Sequence, residues 1–109
     1  MTQLVEINSL QEFEKAIEKG LRLVLFIAFW SRPCREQCGN VRKIKRDLVG
    51  LMPVILVDVE KFPSIASDIV IQTIPTSVVY RDSEEILRLV GLQREKVLRS
   101  IIKTIRKIK

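Results

Sequence analysis

The chain has 109 residues, of which 47% are apolar and 29% charged, and a formal charge of +6. This is the length of one domain with enough apolar residues to bury a core, which excludes a disordered chain. No apolar run approaches the roughly 18 residues of a membrane helix, and the absence of histidine excludes Ser–His and Cys–His catalytic pairs within one chain.

The N-terminal residues carry no basic region followed by an apolar stretch, so no secretory leader is read and the cytoplasm is the expected location. Leu4-Val5-Glu6-Ile7 reads as a short strand. Ser9 and Glu12 then have the spacing of a capping box, which opens a helix carrying Phe13, Ala16 and Ile17 on one face and stopped by Gly20. Residues 21–29 form an apolar, β-rich run broken only by Arg22, as in a central strand covered on both faces. Trp30-Ser31-Arg32-Pro33-Cys34 is a turn into a second helix, since proline is tolerated in a first helical turn. Cys38, Val41, Ile44 and Leu48 continue that helix at its own spacing until Gly50. Residues 53–59 read as a buried strand and 63–69 as a short helix. Residues 76–80 and 85–90 read as two strands joined by a turn, with Gly91 ending the second. From Arg94 onward Val97, Leu98, Ile101, Ile102, Ile105 and Ile108 form one apolar stripe. The order β-α-β-α-β-α-β-β-α predicts an α/β fold: a mixed sheet, parallel by crossover at first and closed by a hairpin, with helices on both faces. No linker divides it, so residues 1–109 are expected to form a single domain.

Seven lysines and arginines fall within residues 94–109, and Arg42, Lys43, Lys45 and Arg46 form a second group. A solvated helix face explains both. No aromatic residue follows Tyr80 to offer a stacking platform, so nucleic acid is not expected as a partner. Cys34 and Cys38 stand four apart on one helical face. At that spacing Cβ atoms lie about 5–6 Å apart, whereas a disulfide needs about 3.8 Å. Cys38 therefore reads as a core thiol, with a displaced disulfide as the alternative. Two ligands fall short of the four of a closed zinc site, and neither a metal site nor a cofactor site is identified.

On these residues the chain resembles the thioredoxin family almost end to end. The family has Trp-Cys-Gly-Pro-Cys where this chain has Trp30-Ser31-Arg32-Pro33-Cys34. Ile74-Pro75-Thr76 matches its Ile-Pro-Thr, with the proline in cis, and Val90-Gly91 matches the end of its fifth strand. The resemblance implies a thioredoxin fold and thiol–disulfide exchange on protein substrates. In that chemistry a thiolate at a helix N-terminus attacks a substrate disulfide, and a second, more buried cysteine resolves the mixed disulfide.

Ser31 occupies the attacking position, and a serine hydroxyl does not ionise near neutral pH. Cys34 matches the resolving cysteine. Leu25 stands where the family buries an aspartate, Ile27 replaces a second tryptophan, and Arg32 replaces the motif glycine. Trp30, Pro33, Ile74, Pro75 and Gly91 match the substrate groove. Two functions follow. Cys34 carries one-cysteine exchange chemistry, released by an external thiol or reductase. Alternatively the chain is a non-catalytic module binding protein partners at the Trp30/Pro75 groove. Ser31 also reads as the N-cap of its helix. Cys34 reads equally as reactive, with Arg32 and Arg35 beside it, or as inert through burial. The Ile, Val, Lys, Arg and Glu content is compatible with a thermophile.

Overall fold

The structure, a computed structural model, describes residues 4–108. The leader reading at residues 1–3 and the place of the Ile108 side chain in the last apolar stripe lie outside the described residues. Five strands, β1 (Leu4–Glu6), β2 (Leu21–Ile27), β3 (Val54–Asp58), β4 (Thr76–Arg81) and β5 (Glu84–Val90), form one sheet in the order β1-β3-β2-β4-β5. β1, β3 and β2 are parallel, while β4 runs antiparallel to β2 and β5 antiparallel to β4.

The side-chain period of two divides the core. Leu21, Leu23, Leu25 and Ile27 of β2, with Val54, Leu56 and Val79, face one way. Helices α2 (Arg32–Lys43), α3 (Lys45–Leu48) and α5 (Glu95–Ile108) supply Cys34, Cys38, Val41, Leu48, Leu98, Ile102 and Ile105 to that side. Val24, Phe26, Ile55, Val57, Val78 and Tyr80 face the other way, under α1 (Leu10–Ala16) and α4 (Pro63–Asp68). There Phe13 meets Phe26 and Tyr80 edge-on, at centroid distances of 6.2 and 6.0 Å. β2 is covered on both faces, which is why its sequence is a continuous apolar run and not an alternating one.

Local chemistry sets the element ends. Ser9 Oγ accepts from the Glu12 N–H at 3.0 Å, while the Glu12 carboxylate accepts from the Asn8 N–H at 2.7 Å, one residue before the N-cap. In the β4–β5 hairpin Asp82 and Ser83 both take positive φ, as the right-handed strand twist demands of a two-residue turn.

Four expectations need correction. The first helix ends at Ala16 with Ile17 as its C-cap, so Gly20, at φ +72, turns the chain into β2 and does not stop the helix. The helix after Cys34 is not continuous to Leu48: Ile44 leaves the helical conformation with ψ 17 and separates α2 from α3. The turn tightens there, as Ile44 N–H bonds the Val41 carbonyl and Asp47 N–H the Ile44 carbonyl. Ile44 and Leu48 both stay buried, so side-chain spacing alone could not reveal the break. Strand β2 stops at Ile27, and Phe29 lies outside it, 44% exposed. Val97 is 41% exposed: it lies beside Leu98 around the helix, at the edge of the stripe that faces the sheet.

Candidate functional site

Strand register gathers the residues singled out in the sequence. Phe26 on β2 pairs with Thr76 on β4, which pairs with Val90 on β5. The Trp30–Cys34 turn after β2, Pro75 before β4 and Gly91 after β5 therefore share one end of the sheet. The Gly91 N–H donates to the Pro75 carbonyl at 2.8 Å and ties two of these segments together. The Ile74–Pro75 peptide bond is cis. Gly91 holds φ +86, a conformation that suits glycine, as the chain leaves β5.

The turn before α2 is held from several sides. Ser31 N–H donates to the Ala28 carbonyl at 3.1 Å. Ser31 Oγ accepts from the Cys34 N–H at 3.4 Å, which makes Ser31 the N-cap of α2, with Pro33 in the first helical turn. The Trp30 indole N–H donates to Glu60 Oε1 at 2.7 Å. Trp30 nevertheless stays 67% exposed, the most open large apolar side chain among the described residues.

Cys34 is fully buried, and its Sγ accepts from the Ala28 N–H at 3.5 Å. Cys34 and Cys38 are both free thiols. The guanidinium of Arg35 is turned to the Phe29 carbonyl, 2.9 Å away. Burial pushes the Cys38 thiol up from its ordinary value, the Arg42 charge opposes this, and Cys34 adds to it. Leu25, fully buried, pairs across the sheet with Ser77, whose hydroxyl has no partner. The site floor is thus apolar apart from one orphan hydroxyl on β4. Among the described residues no three His, Cys, Asp or Glu side chains converge as metal ligands, and no helix is long and apolar enough to cross a membrane.

One group escaped the sequence reading. Gln37 is fully buried in α2 and grips the main chain of Gln93: its Nε2 donates to the Gln93 carbonyl at 3.1 Å and its Oε1 accepts from the Gln93 N–H at 2.6 Å. Asn40 Nδ2 donates to the same carbonyl at 3.0 Å. Through Gln93, Gly91 and Pro75 this clamp fastens α2 to the other two walls of the groove. The signal was position: Gln37 lies three residues after Cys34 and four before Val41, inside the buried stripe, where a polar residue needs a partner.

A sheet in this order, with a cis-proline segment and a Trp-x-x-Pro-Cys turn at a helix N-terminus sharing one end of it, defines a thioredoxin-fold protein. The chain matches the thioredoxin family model over residues 4–104, and it belongs to the thioredoxin family. It is 31% identical to a thioredoxin of Staphylococcus epidermidis over 91 residues, 84% of this chain and 88% of that protein. It is 29% identical to a thioredoxin of Staphylococcus aureus over the same shares of the two chains. Among solved structures it is similar to a thioredoxin of Trypanosoma brucei brucei, with a TM-score of 0.87 and 22% identity over 96% of this chain and 92% of that one. Family and fold support a thiol–disulfide oxidoreductase type of function.

Proposed function

We propose that this chain acts on the recognition side of thiol–disulfide chemistry, binding extended protein segments in the groove formed by Trp30, Pro33, Ile74, Pro75 and Gly91. The observation that carries this reading is a contrast within one turn: Trp30 is 67% exposed while Cys34, four residues on, has no exposed surface. Neither the N–H nor the carbonyl of Ile74 has a hydrogen-bond partner among the described residues, so both are open to pair with an added strand. Ser31 stands in the attacking position with only 7% exposure and its hydroxyl capping α2, so such a segment meets no thiolate there. The reading sets the chain in the cytoplasm, whose reducing poise keeps both cysteines as thiols.

The test uses Trp30, which is the only tryptophan of the chain and sits in the groove. Its fluorescence is followed as extended peptides, with and without a disulfide, are titrated into the native chain and into Cys34→Ser. Saturable binding by both proteins supports the reading. Binding that vanishes in Cys34→Ser contradicts it.

A second reading, one-cysteine exchange through Cys34, is favoured by the Ala28 N–H aimed at its sulfur, a donor able to stabilise a thiolate. Cys34 would take one sulfur of a substrate disulfide and release the other as a thiolate, and an external thiol or reductase would free the product.

A further inference from the structure

A second cysteine lies beside a cavity that neither reading uses. A pocket of about 260 Å³ opens between the end of β2 and the outer side of α2, lined by Ile27, Ala28, Phe29, Arg35, Cys38 and Arg42. Arg35, Cys38 and Arg42 follow one another at i, i+3 and i+7, so they share one face of α2 with the thiol between two guanidinium groups. Cys38 retains 5% exposure, whereas Cys34 has none. Neither arginine has a carboxylate partner among the described residues, and both side chains are exposed at the pocket rim. Two uncompensated cations on an apolar-walled pocket with a thiol in its lining match a small anionic molecule that carries sulfur.

We propose that this pocket is a modification site, at which Cys38 exchanges with an anionic low-molecular-weight disulfide whose carboxylates are held by Arg35 and Arg42. The Cys38 thiol gives its proton to solvent and the resulting thiolate attacks one sulfur of the disulfide. A Cys38–S–S–R bond forms, the R–S–S–R bond breaks, and R–S⁻ leaves with the electron pair. Two-electron balance is internal to the exchange, and a second thiol of the same class reverses it. The adduct sits against Phe29, next to Trp30, so modification reshapes one border of the groove.

The native chain is incubated with glutathione disulfide, which is anionic, and in parallel with cystamine, a cationic disulfide. Adducts are located by peptide mapping, and each rate is divided by that of neutral N-acetylcysteinamide with the same reagent. The expected result is an adduct on Cys38 and not on Cys34, with a normalised preference of about tenfold for the anionic reagent. That preference should shrink toward parity in Arg42→Gln and further in the Arg35→Gln/Arg42→Gln double variant. Both replaced side chains are exposed, so the variants are expected to fold. An unmodified Cys38 in the folded chain, equal normalised rates, or a preference that survives the double substitution would each overturn the proposal.

Discussion

The hydroxyl of Ser31 accepts the backbone N–H of Cys34 at 3.4 Å, so Ser31 serves as the cap of the helix that carries Cys34. A capping oxygen satisfies one of the unpaired donors at a helix start. Ser31→Ala is expected to cost about 1 kcal/mol of stability, read from the denaturant midpoint, with Ser31→Gly costing only a few tenths. An unchanged midpoint in Ser31→Ala would mean that the long 3.4 Å contact contributes little.

Ser31→Cys places a second thiol at the N-cap of α2, 7% exposed in the native chain, where the helix dipole favours its thiolate. Insulin disulfide reduction is expected to rise well above that of the native chain. A variant that stays inactive would assign the loss to Leu25, whose apolar side chain offers no proton relay, or to Arg32 in the motif.

Gln37 bonds both polar groups of the Gln93 main chain from a fully buried position. Gln37→Leu keeps the volume but leaves the Gln93 N–H without its partner, while Asn40 still holds the carbonyl. The expected cost is about 2 kcal/mol in chemical denaturation. Peptide binding followed by Trp30 fluorescence should weaken beyond the loss of folded protein, because the Gly91 wall is no longer fixed to α2.

Burial, partly offset by Arg42, raises the Cys38 thiol above its ordinary value of 9.0. The folded state thus holds this proton more tightly than the unfolded chain. The stability it contributes is complete below the unfolded value and is lost as pH rises from there through the folded one. Tyr80, pushed up to about 12 by burial, acts with the same sign at higher pH. Denaturation midpoints should therefore fall on the alkaline side, and the fall should begin at higher pH in Cys38→Ala. An identical profile in that variant would locate the alkaline sensitivity elsewhere.

The fold was legible because periodicity and punctuation agreed along most of the chain. The Ser9–Glu12 cap, the apolar run of β2 and the glycines at 50 and 91 each have a local physical cause visible in the sequence. The break at Ile44 was not legible, since Ile44 and Leu48 face inward on either geometry. The exposure of Val97 was not legible either, since its spacing places it at the edge of the stripe and does not decide whether that edge is covered. At the site, the gathering of Trp30, Pro75 and Gly91 at one end of the sheet was legible from the order of the strands, but the sealing of Cys34 was not: burial depends on how α2 lies on Leu25 and Ile27. The Gln37 clamp required knowing that the loop after β5 passes beside α2, a contact between residues 56 apart in sequence.

Part of the positive charge is spent within the fold. Arg99 pairs with Asp47 at 2.5 Å and with Glu95 at 2.7 Å, and Arg106 donates to the Asp47 carbonyl. These contacts join α5 to α3 and account structurally for some of the basic residues that crowd the C-terminal helix.

The central claim, that this groove binds while its motif thiol stays closed, is tested most directly by site-resolved alkylation of the native chain across pH with a small neutral reagent, followed by peptide mass spectrometry. The account expects Cys34 to remain unmodified until the chain is denatured, while any native-state labelling falls on Cys38. Rapid native labelling of Cys34 near neutral pH would contradict it and make one-cysteine exchange the working chemistry of this protein.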